Sequence, residues 1–309
     1  MSDSRSARAT YAAELALLGL LSTLWGASYT FIKLGVATIP PLTLIAARTL
    51  VAAAILVLVI RFRDLRMPRD AASWKGFLVQ ACLNSVIPFT LIAWAERQVD
   101  AGLATILNST APIFVFLLSV MLSRGDAVSA SKILGVGLGI AGTCLIVGVE
   151  ALGGLGRDLI AQLAIVMATL CYAGAAIFGK RFDGLHPLLP AAGSLICGAL
   201  ILAPMSLVVE RPWTLAPSPS SVLALLALAA FSTALALVIY FRLIRSLGSI
   251  GATAQAYLRV PIGIAIAVIF LGERLPATAW LGLLGVMCGV AAMTFPARQP
   301  ISQVQTTAQ

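Results

Sequence analysis

Apolar residues in this chain come in long unbroken blocks, not in the alternating or three-four spacing of a soluble protein. From Ala13 to Phe295, stretches of about 20 residues rich in Leu, Ala, Val, Ile and Gly are separated by short polar punctuation. All twelve carboxylates fall at the edges of these blocks. A block of that length crosses the hydrocarbon core of a bilayer as a helix. There every backbone N–H and C=O must find its partner inside the protein, which leaves helices or a closed barrel. Unbroken blocks without strict alternation exclude the barrel. The pattern predicts an all-α integral membrane protein of ten transmembrane helices, near residues 13–32, 42–61, 76–95, 101–122, 132–149, 159–179, 188–208, 221–241, 250–271 and 278–295. The first block follows Arg5 and Arg8, as in a signal peptide, but no small-residue cleavage site precedes Lys33. It is read as a span kept in the mature protein. The Gln/Thr-rich residues 299–309 read as a disordered tail.

Composition sharpens this picture. The chain is 60% apolar and 11% charged, with a mean hydropathy of +1.00, whereas soluble domains carry about 25% charged residues. The net charge of +9 therefore points to basic residues flanking a membrane, not to nucleic acid. With a cytoplasmic N-terminus, the inner segments hold roughly fourteen basic residues, among them Arg61, Arg63, Arg66, Arg69, Lys180, Arg181, Arg242 and Arg245. The outer segments hold roughly five, Lys33, Arg97, Arg157, Arg211 and Arg274. Both termini are expected in the cytoplasm. Cys82, Cys144, Cys171, Cys197 and Cys288 are odd in number and lack any CxxC or Cys/His spacing, and His186 stands beside Pro187 in a loop. Neither a metal site nor a disulfide framework is expected.

The chain also repeats itself. Shifted by about 147 positions, the run from Leu24 to Lys33 lies over Cys171 to Lys180. Under the same shift Pro40 meets Pro187, Gly135 meets Gly282 and Gly142 meets Gly289; with a two-residue slip, Gly102 meets Gly251 and Pro112 meets Pro261. Two units follow, residues 1–152 and 153–298, each of five helices. An odd helix number makes the second unit enter the membrane from the opposite side, giving two inverted five-helix repeats around a central cavity. Such a pair exposes a shared site to either face by rocking.

These residues carry a resemblance. Trp25-Gly26-Ala27-Ser28-Tyr29-Thr30-Phe31-Ile32-Lys33, then Pro41 and Arg48, resemble the opening of the EamA domain of the drug/metabolite transporter superfamily. Tyr257-Leu258, Pro261, Leu271-Gly272-Glu273-Arg274-Leu275 and Gly282-Leu283-Leu284-Gly285-Val286 are similar to the end of that domain. The resemblance covers nearly the whole chain as two tandem domains. It implies a ten-helix carrier of small metabolites in the bacterial inner membrane, with amino-acid export a common role. The first repeat departs from the pattern at Leu122-Ser123-Arg124-Gly125-Asp126, which lacks the counterpart of Glu273, and Arg259 is an unusual charge before Pro261.

Candidate chemistry centres on two cations inside spans, Arg48 and Arg259, with no Asp or Glu at their depth. A guanidinium in hydrocarbon costs at least about 2.5 kcal/mol and must be paired or hydrated. Two readings stay open: either side chain faces a water-filled cavity and attracts a solute carboxylate, or it snorkels and bonds helix-end carbonyls. Trp25, Tyr29, Asn84, Ser85, Asn108, Tyr172 and Tyr257 are candidates to complete a substrate-binding cavity. Trp94 and Tyr240 read equally well as interfacial anchors. Pro88, Pro112 and Pro261 are candidate helix kinks. Gly135, Gly139 and Gly142 with Gly282, Gly285 and Gly289 read as a close-packing surface between the fifth and tenth helices. Glu96 and Glu273 lie near helix ends, so facilitated diffusion or exchange is favoured over coupling through a buried acid.

The expected partners are a small polar solute, most readily an amino acid or derivative, and the lipid bilayer. No nucleic acid, cofactor or metal is expected, and oligomeric state is not encoded in the pattern. A membrane-embedded enzyme would need clustered Asp, His or Cys at a membrane face, and the chain offers none. A carrier of nucleotide sugars or lipid-linked intermediates on the same fold, or a non-transporting membrane protein, remains the alternative.

Overall fold

The computed structural model describes residues 2–95, 107–108, 110–122, 130–147, 159–259, 261–262 and 277–294. The side chains of Tyr29, Lys33 and Pro112, the residues Glu96 and Glu273, the unit boundary at 152 and the tail from 299 lie outside this description. The described residues form helices joined by turns and short loops, with no strand among them. They form α1 (Ser2–Val36), α2 (Pro41–Phe62), and α3 (Ala71–Ala81), which runs through a π-helical segment (Cys82–Val86) into α4 (Ile87–Ala95). Next come α5 (Ala111–Leu122), α6 (Ala130–Val147), and α7 (Leu159–Phe178) with a closing 3-10 turn (Gly179–Phe182). Then follow α8 (Leu188–Val209) and α9 (Pro219–Ala229), the latter passing through a second π-helical segment (Ala230–Leu235) into α10 (Ala236–Thr253). The last described helix is α11 (Ala277–Thr294).

Five segments among the described residues are long and apolar enough to cross a bilayer: Pro41–Phe62, Ala71–Ile92, Leu159–Phe182, Leu188–Val209 and Pro219–Thr253. Their outward faces carry Phe62, Val208 and Leu223, each more than two-thirds exposed. Such apolar surface is an aggregation hazard in water and ordinary in lipid. Helix limits differ from expectation where polar residues continue a helix beyond its apolar block. α1 starts at Ser2, well before the apolar block, and α3 starts at Ala71, where Asp70 accepts the Ser73 N–H at 2.7 Å. That hydrogen bond holds the Asp70 carboxyl below its ordinary range. α10 breaks at Gly248 (φ 74, ψ 175), a conformation open to glycine and strained for other residues.

The helices pair across the two halves of the chain. α2 and α8 are both 22 residues long and start at Pro41 and Leu188, 147 positions apart. In α6 and α11 the same shift of 147 lays Gly135 over Gly282 and Gly142 over Gly289. Each helix lies against its counterpart and runs antiparallel to it. In α2 and α8, Thr43 bonds Ser206 (2.9 Å) and Thr49 lies beside Gly198. In α6 and α11, Ser131 donates to the Ala292 carbonyl and Gly142 abuts Gly282. Further contacts also cross between halves. α1 packs on α9 and α10 through Leu34 with Ser221, Trp25 with Ser232 and Glu14 with Arg242. α7 packs on α3 and α4 through Phe182 beside Gly76, Gly174 beside Leu83, and Tyr172 beside Phe89.

These contacts gather basic residues at one end of the bundle. Arg61 to Arg69, Lys180, Arg181, Arg242 and Arg245 lie there, and Glu210 and Arg211 at the other. At this opposite end the Glu210 carboxylate accepts the backbone N–H groups of Leu42 (3.1 Å) and Thr43 (2.6 Å). A carboxylate from the second half thus satisfies the orphan donors that open α2, where the helix dipole favours negative charge.

The α6–α11 contact is made by backbone against backbone. A Cβ at Gly142 would stand 2.6 Å from the Gly282 carbonyl oxygen and 2.7 Å from the Val286 nitrogen; one at Gly289 would stand 2.7 Å from the Gly135 oxygen. Neither neighbour can swing aside as a side-chain tip would. Gly142→Ala and Gly289→Ala are each expected to cost about 1–3 kcal/mol, read as a lowered thermal midpoint in detergent. Gly137→Ala, where a Cβ meets nothing within 4 Å, is expected to leave that midpoint unchanged or raised.

Candidate functional site

Arg48 lies on the buried stripe of α2, between Leu44 and Ile45 on one turn and Ala52 on the next. It is 5% exposed, so its side chain does not reach an interface. Its Nε–H donates to Thr233 Oγ1 at 3.1 Å, and the guanidinium carbon stands 4.4 Å above the centre of the Phe89 ring. Thr233 is oriented for this: its own hydroxyl donates to the Leu228 carbonyl at 2.8 Å, which turns its lone pairs toward Arg48. The ring quadrupole of Phe89 supplies the second favourable contact. The two terminal amino groups of Arg48 have no hydrogen-bond or ion-pair partner among the described residues. Tyr172 closes the group, its ring 6.4 Å from that of Phe89.

Both π-helical segments border this group. They start at Cys82 and Ala230, 148 positions apart, at corresponding points of the two halves. A π turn widens the helix by one residue and re-aims the side chains on it. In the second segment Ser232 Oγ donates to the Leu24 carbonyl (2.7 Å), and the Trp25 indole N–H donates to the Ser232 carbonyl (3.0 Å). Ser232 therefore ties α1 to the second half, while Thr233 holds Arg48. In the first segment Asn84 and Ser85 are buried, and neither side chain has a hydrogen-bond partner among the described residues.

Among the sequence candidates, Arg48, Asn84, Ser85, Tyr172 and Trp25 lie around these segments. Pro88 is buried on the first turn of α4. Asn108 is buried apart from them, its amide oxygen 3.4 Å from the Thr169 hydroxyl. Tyr257 is fully buried against Gly139 and directs its hydroxyl to the Val136 carbonyl (3.4 Å), which places it in the packing between the end of α10 and α6. Arg259 and Pro261 are partly buried in the helical residues beyond α10. Tyr240 is 3% exposed and stacks on Trp25 with centroids 5.4 Å apart, so it is a core residue and not an interfacial anchor. Trp94, 41% exposed, retains the surface position an anchor needs.

Several functional groups escaped the sequence reading. Thr233 and Phe89 hold Arg48, yet a threonine and a phenylalanine inside apolar blocks carry no signal by themselves. The alignment of Ser232-Thr233 with Asn84-Ser85 at a shift of 148 was the legible clue. Glu14, at the edge of the first apolar block in the sequence, is enclosed in the fold. It is 6% exposed, accepts from Arg242 at 2.9 and 3.2 Å through one oxygen, and from the Ser246 hydroxyl at 2.9 Å through the other. The helix extends past the apolar block, which encloses this residue between α1 and α10.

A model of the EamA-like transporter family matches residues 13–148 and again 159–295. The chain belongs to the EamA-like transporter family. Among curated relatives, the uncharacterized inner membrane transporter YedA of Escherichia coli K12 is 25% identical over 300 residues, covering 94% of this chain and 96% of that protein. A probable terminal-alkyne amino-acid exporter of Streptantibioticus cattleyicolor is 26% identical over 206 residues, 64% of this chain and 66% of that one. A crystal structure superimposes with a TM-score of 0.76 at 16% identity, covering 90% of this chain and 96% of that chain; this likeness is one of fold. For this EamA-like chain the family fixes the general task, transport across a membrane.

Because Thr233 Oγ1 serves both the guanidinium and the Leu228 carbonyl, Thr233→Val removes two buried hydrogen bonds while keeping the shape. The expected loss is about 1.5–3 kcal/mol of stability in detergent. Thr23→Val, at an exposed hydroxyl bonded to the Gly19 carbonyl, is expected to leave the thermal midpoint where it was.

Proposed function

We propose that this chain is an alternating-access carrier of the bacterial inner membrane that exports small polar metabolites bearing a carboxylate, with amino acids or their derivatives as the leading class. The architecture we infer is ten spans in two inverted five-helix repeats, residues 1–152 and 153–298, with both termini on the cytoplasmic side. Its support is the antiparallel run of α2 against α8 and of α6 against α11, each pair offset by 147 positions. Two bundles of opposite sense can rock about such contacts. The clustering of basic residues at one end supports a cytoplasmic assignment for that end.

One observation carries the solute class. Arg48 is a cation of the first half held by a single hydroxyl of the second, with its terminal amino groups unbonded among the described residues. Motion of one half against the other separates Arg48 from Thr233, and a carboxylate offers the planar, two-oxygen acceptor that matches a guanidinium's paired N–H donors best. The relative from Streptantibioticus cattleyicolor, described as an amino-acid exporter, favours the same class. Transport runs by facilitated diffusion or exchange on this reading. The carboxylate enclosed in the described helices, Glu14, is already paired with Arg242.

Reconstituted vesicles and a panel of labelled amino acids test this. Saturable flux independent of an imposed pH gradient is expected for at least one of them. Arg48→Met is expected to keep the fold and raise the half-saturating concentration roughly ten- to hundredfold, the equivalent of one charge-assisted hydrogen bond. Arg48→Lys, which keeps the charge and loses the planar fork, is expected to fall between. Unaltered flux in both variants would remove the carboxylate from the proposal, and gradient-driven accumulation would remove the uncoupled mechanism.

A further inference from the structure

A chain of ring contacts crosses the basic half of the molecule. It runs from Trp74 through Phe77, Phe182, Phe241 and Tyr240 to Trp25, with successive centroids 5.4–6.1 Å apart. These rings come from α3, the 3-10 turn after α7, α10 and α1, so the chain spans both halves. On its basic side lies an open cleft of about 320 Å³ lined by Asp70, Ser73, Arg181, Phe182 and Leu185. Phe182 is thus shared: it lines the cleft and packs against both Phe77 and Phe241.

One turn beyond Phe77, on the far side of this stack, is Gln80. It is wholly buried, and neither its Nε2 nor its Oε1 has a hydrogen-bond partner among the described residues. Its direction follows from its neighbours on the helix. Phe77 lies against Gly193, and Ala81 and Ser85 lie beside Gly198, so that row faces α8. Gly76 lies against Phe182 and Leu83 beside Gly174, so that row faces α7. Gln80 falls between the rows and points into the wedge between α7 and α8. The next turn adds Asn84 and Ser85, also buried without side-chain partners among the described residues. Enclosing an unbonded amide is unfavourable, and a packing residue at that position would be apolar. A conformation that admits a polar solute with its water relieves that cost.

We propose that the cleft is the basic-end mouth of the solute path, that the Phe77–Phe182–Phe241 stack is its gate, shut in this structure, and that Gln80 is the first solute-binding group behind the gate. A neutral amide offers a donor and an acceptor together, which suits the uncharged or zwitterionic polar part of a solute and not an isolated charge. The proposal rests on the carrier reading of this chain.

The experiment uses accessibility and needs no transported solute. In a background lacking the five native cysteines, Gln80→Cys and Ala81→Cys are compared in vesicles treated with a membrane-impermeant methanethiosulfonate, added to each face separately. Both positions are fully buried here. From the basic face, Gln80→Cys is expected to react about tenfold faster than Ala81→Cys, because opening of the gate exposes one row and not the other. Adding Phe182→Ala, or Phe182→Leu where the alanine variant does not fold, is expected to speed the reaction at position 80 alone. Equal inertness at the two positions, or reaction from the opposite face only, would overturn the proposal. Gln80→Met is expected to raise the thermal midpoint; a fall would mean that the amide is bonded in the shut state and would overturn it too. Inert thiols together with active amino-acid flux would sink the gate and leave the carrier standing.

Discussion

A guanidinium buried on an apolar helix long enough to cross a bilayer must be compensated by polar or aromatic groups placed around it. Arg48 meets that constraint with one hydroxyl and one aromatic face. The hydroxyl can accept because its own proton is committed to the Leu228 carbonyl, five residues back in the widened turn. The π-helical segment is therefore part of the cation's solvation, since it aligns Thr233 with both partners at once. Thr233 belongs to the opposite half of the chain from Arg48, so relative motion of the halves changes the environment of the charge directly.

The two halves use the same widened turn differently. At corresponding positions stand Asn84-Ser85 and Ser232-Thr233. The second pair is spent on structure, clamping α1 through Leu24 and holding Arg48. The first pair is buried with its side chains unbonded among the described residues. A duplicated scaffold thus carries a polar pair bonded across helices in its second half and a buried polar pair in its first. The glycine surface between α6 and α11 kept one role in both copies, because backbone contact tolerates no side chain on either partner.

The ends of the bundle differ as well. At the basic end Glu14 joins α1 to α10 through Arg242 and Ser246, and the aromatic chain closes the space behind it. At the other end Glu210 caps α2 from the second half. Each carboxylate links one half to the other near a membrane face.

Block length and charge placement determined the class of this protein on their own. A run of about 20 apolar residues has one stable form in lipid, and the requirement to satisfy every backbone group leaves no competing fold. The duplication was legible for a similar reason: Gly and Pro at matching positions mark backbone constraints that both copies share. Arg48 stood out because a charge inside an apolar block is conspicuous by type. Its partners did not, since Thr233 and Phe89 become significant only when α2, α4 and the second π-helical segment are brought together. Tyr240 and Tyr257 read as polar candidates, and packing placed them in the core. Glu14 stands at a block edge in the chain, and its burial against Arg242 came only with the packing of α1 on α10. Gln80 carried no signal in the chain at all; its lack of a partner depends on which helices surround it, a property of tertiary contact that no local pattern contains.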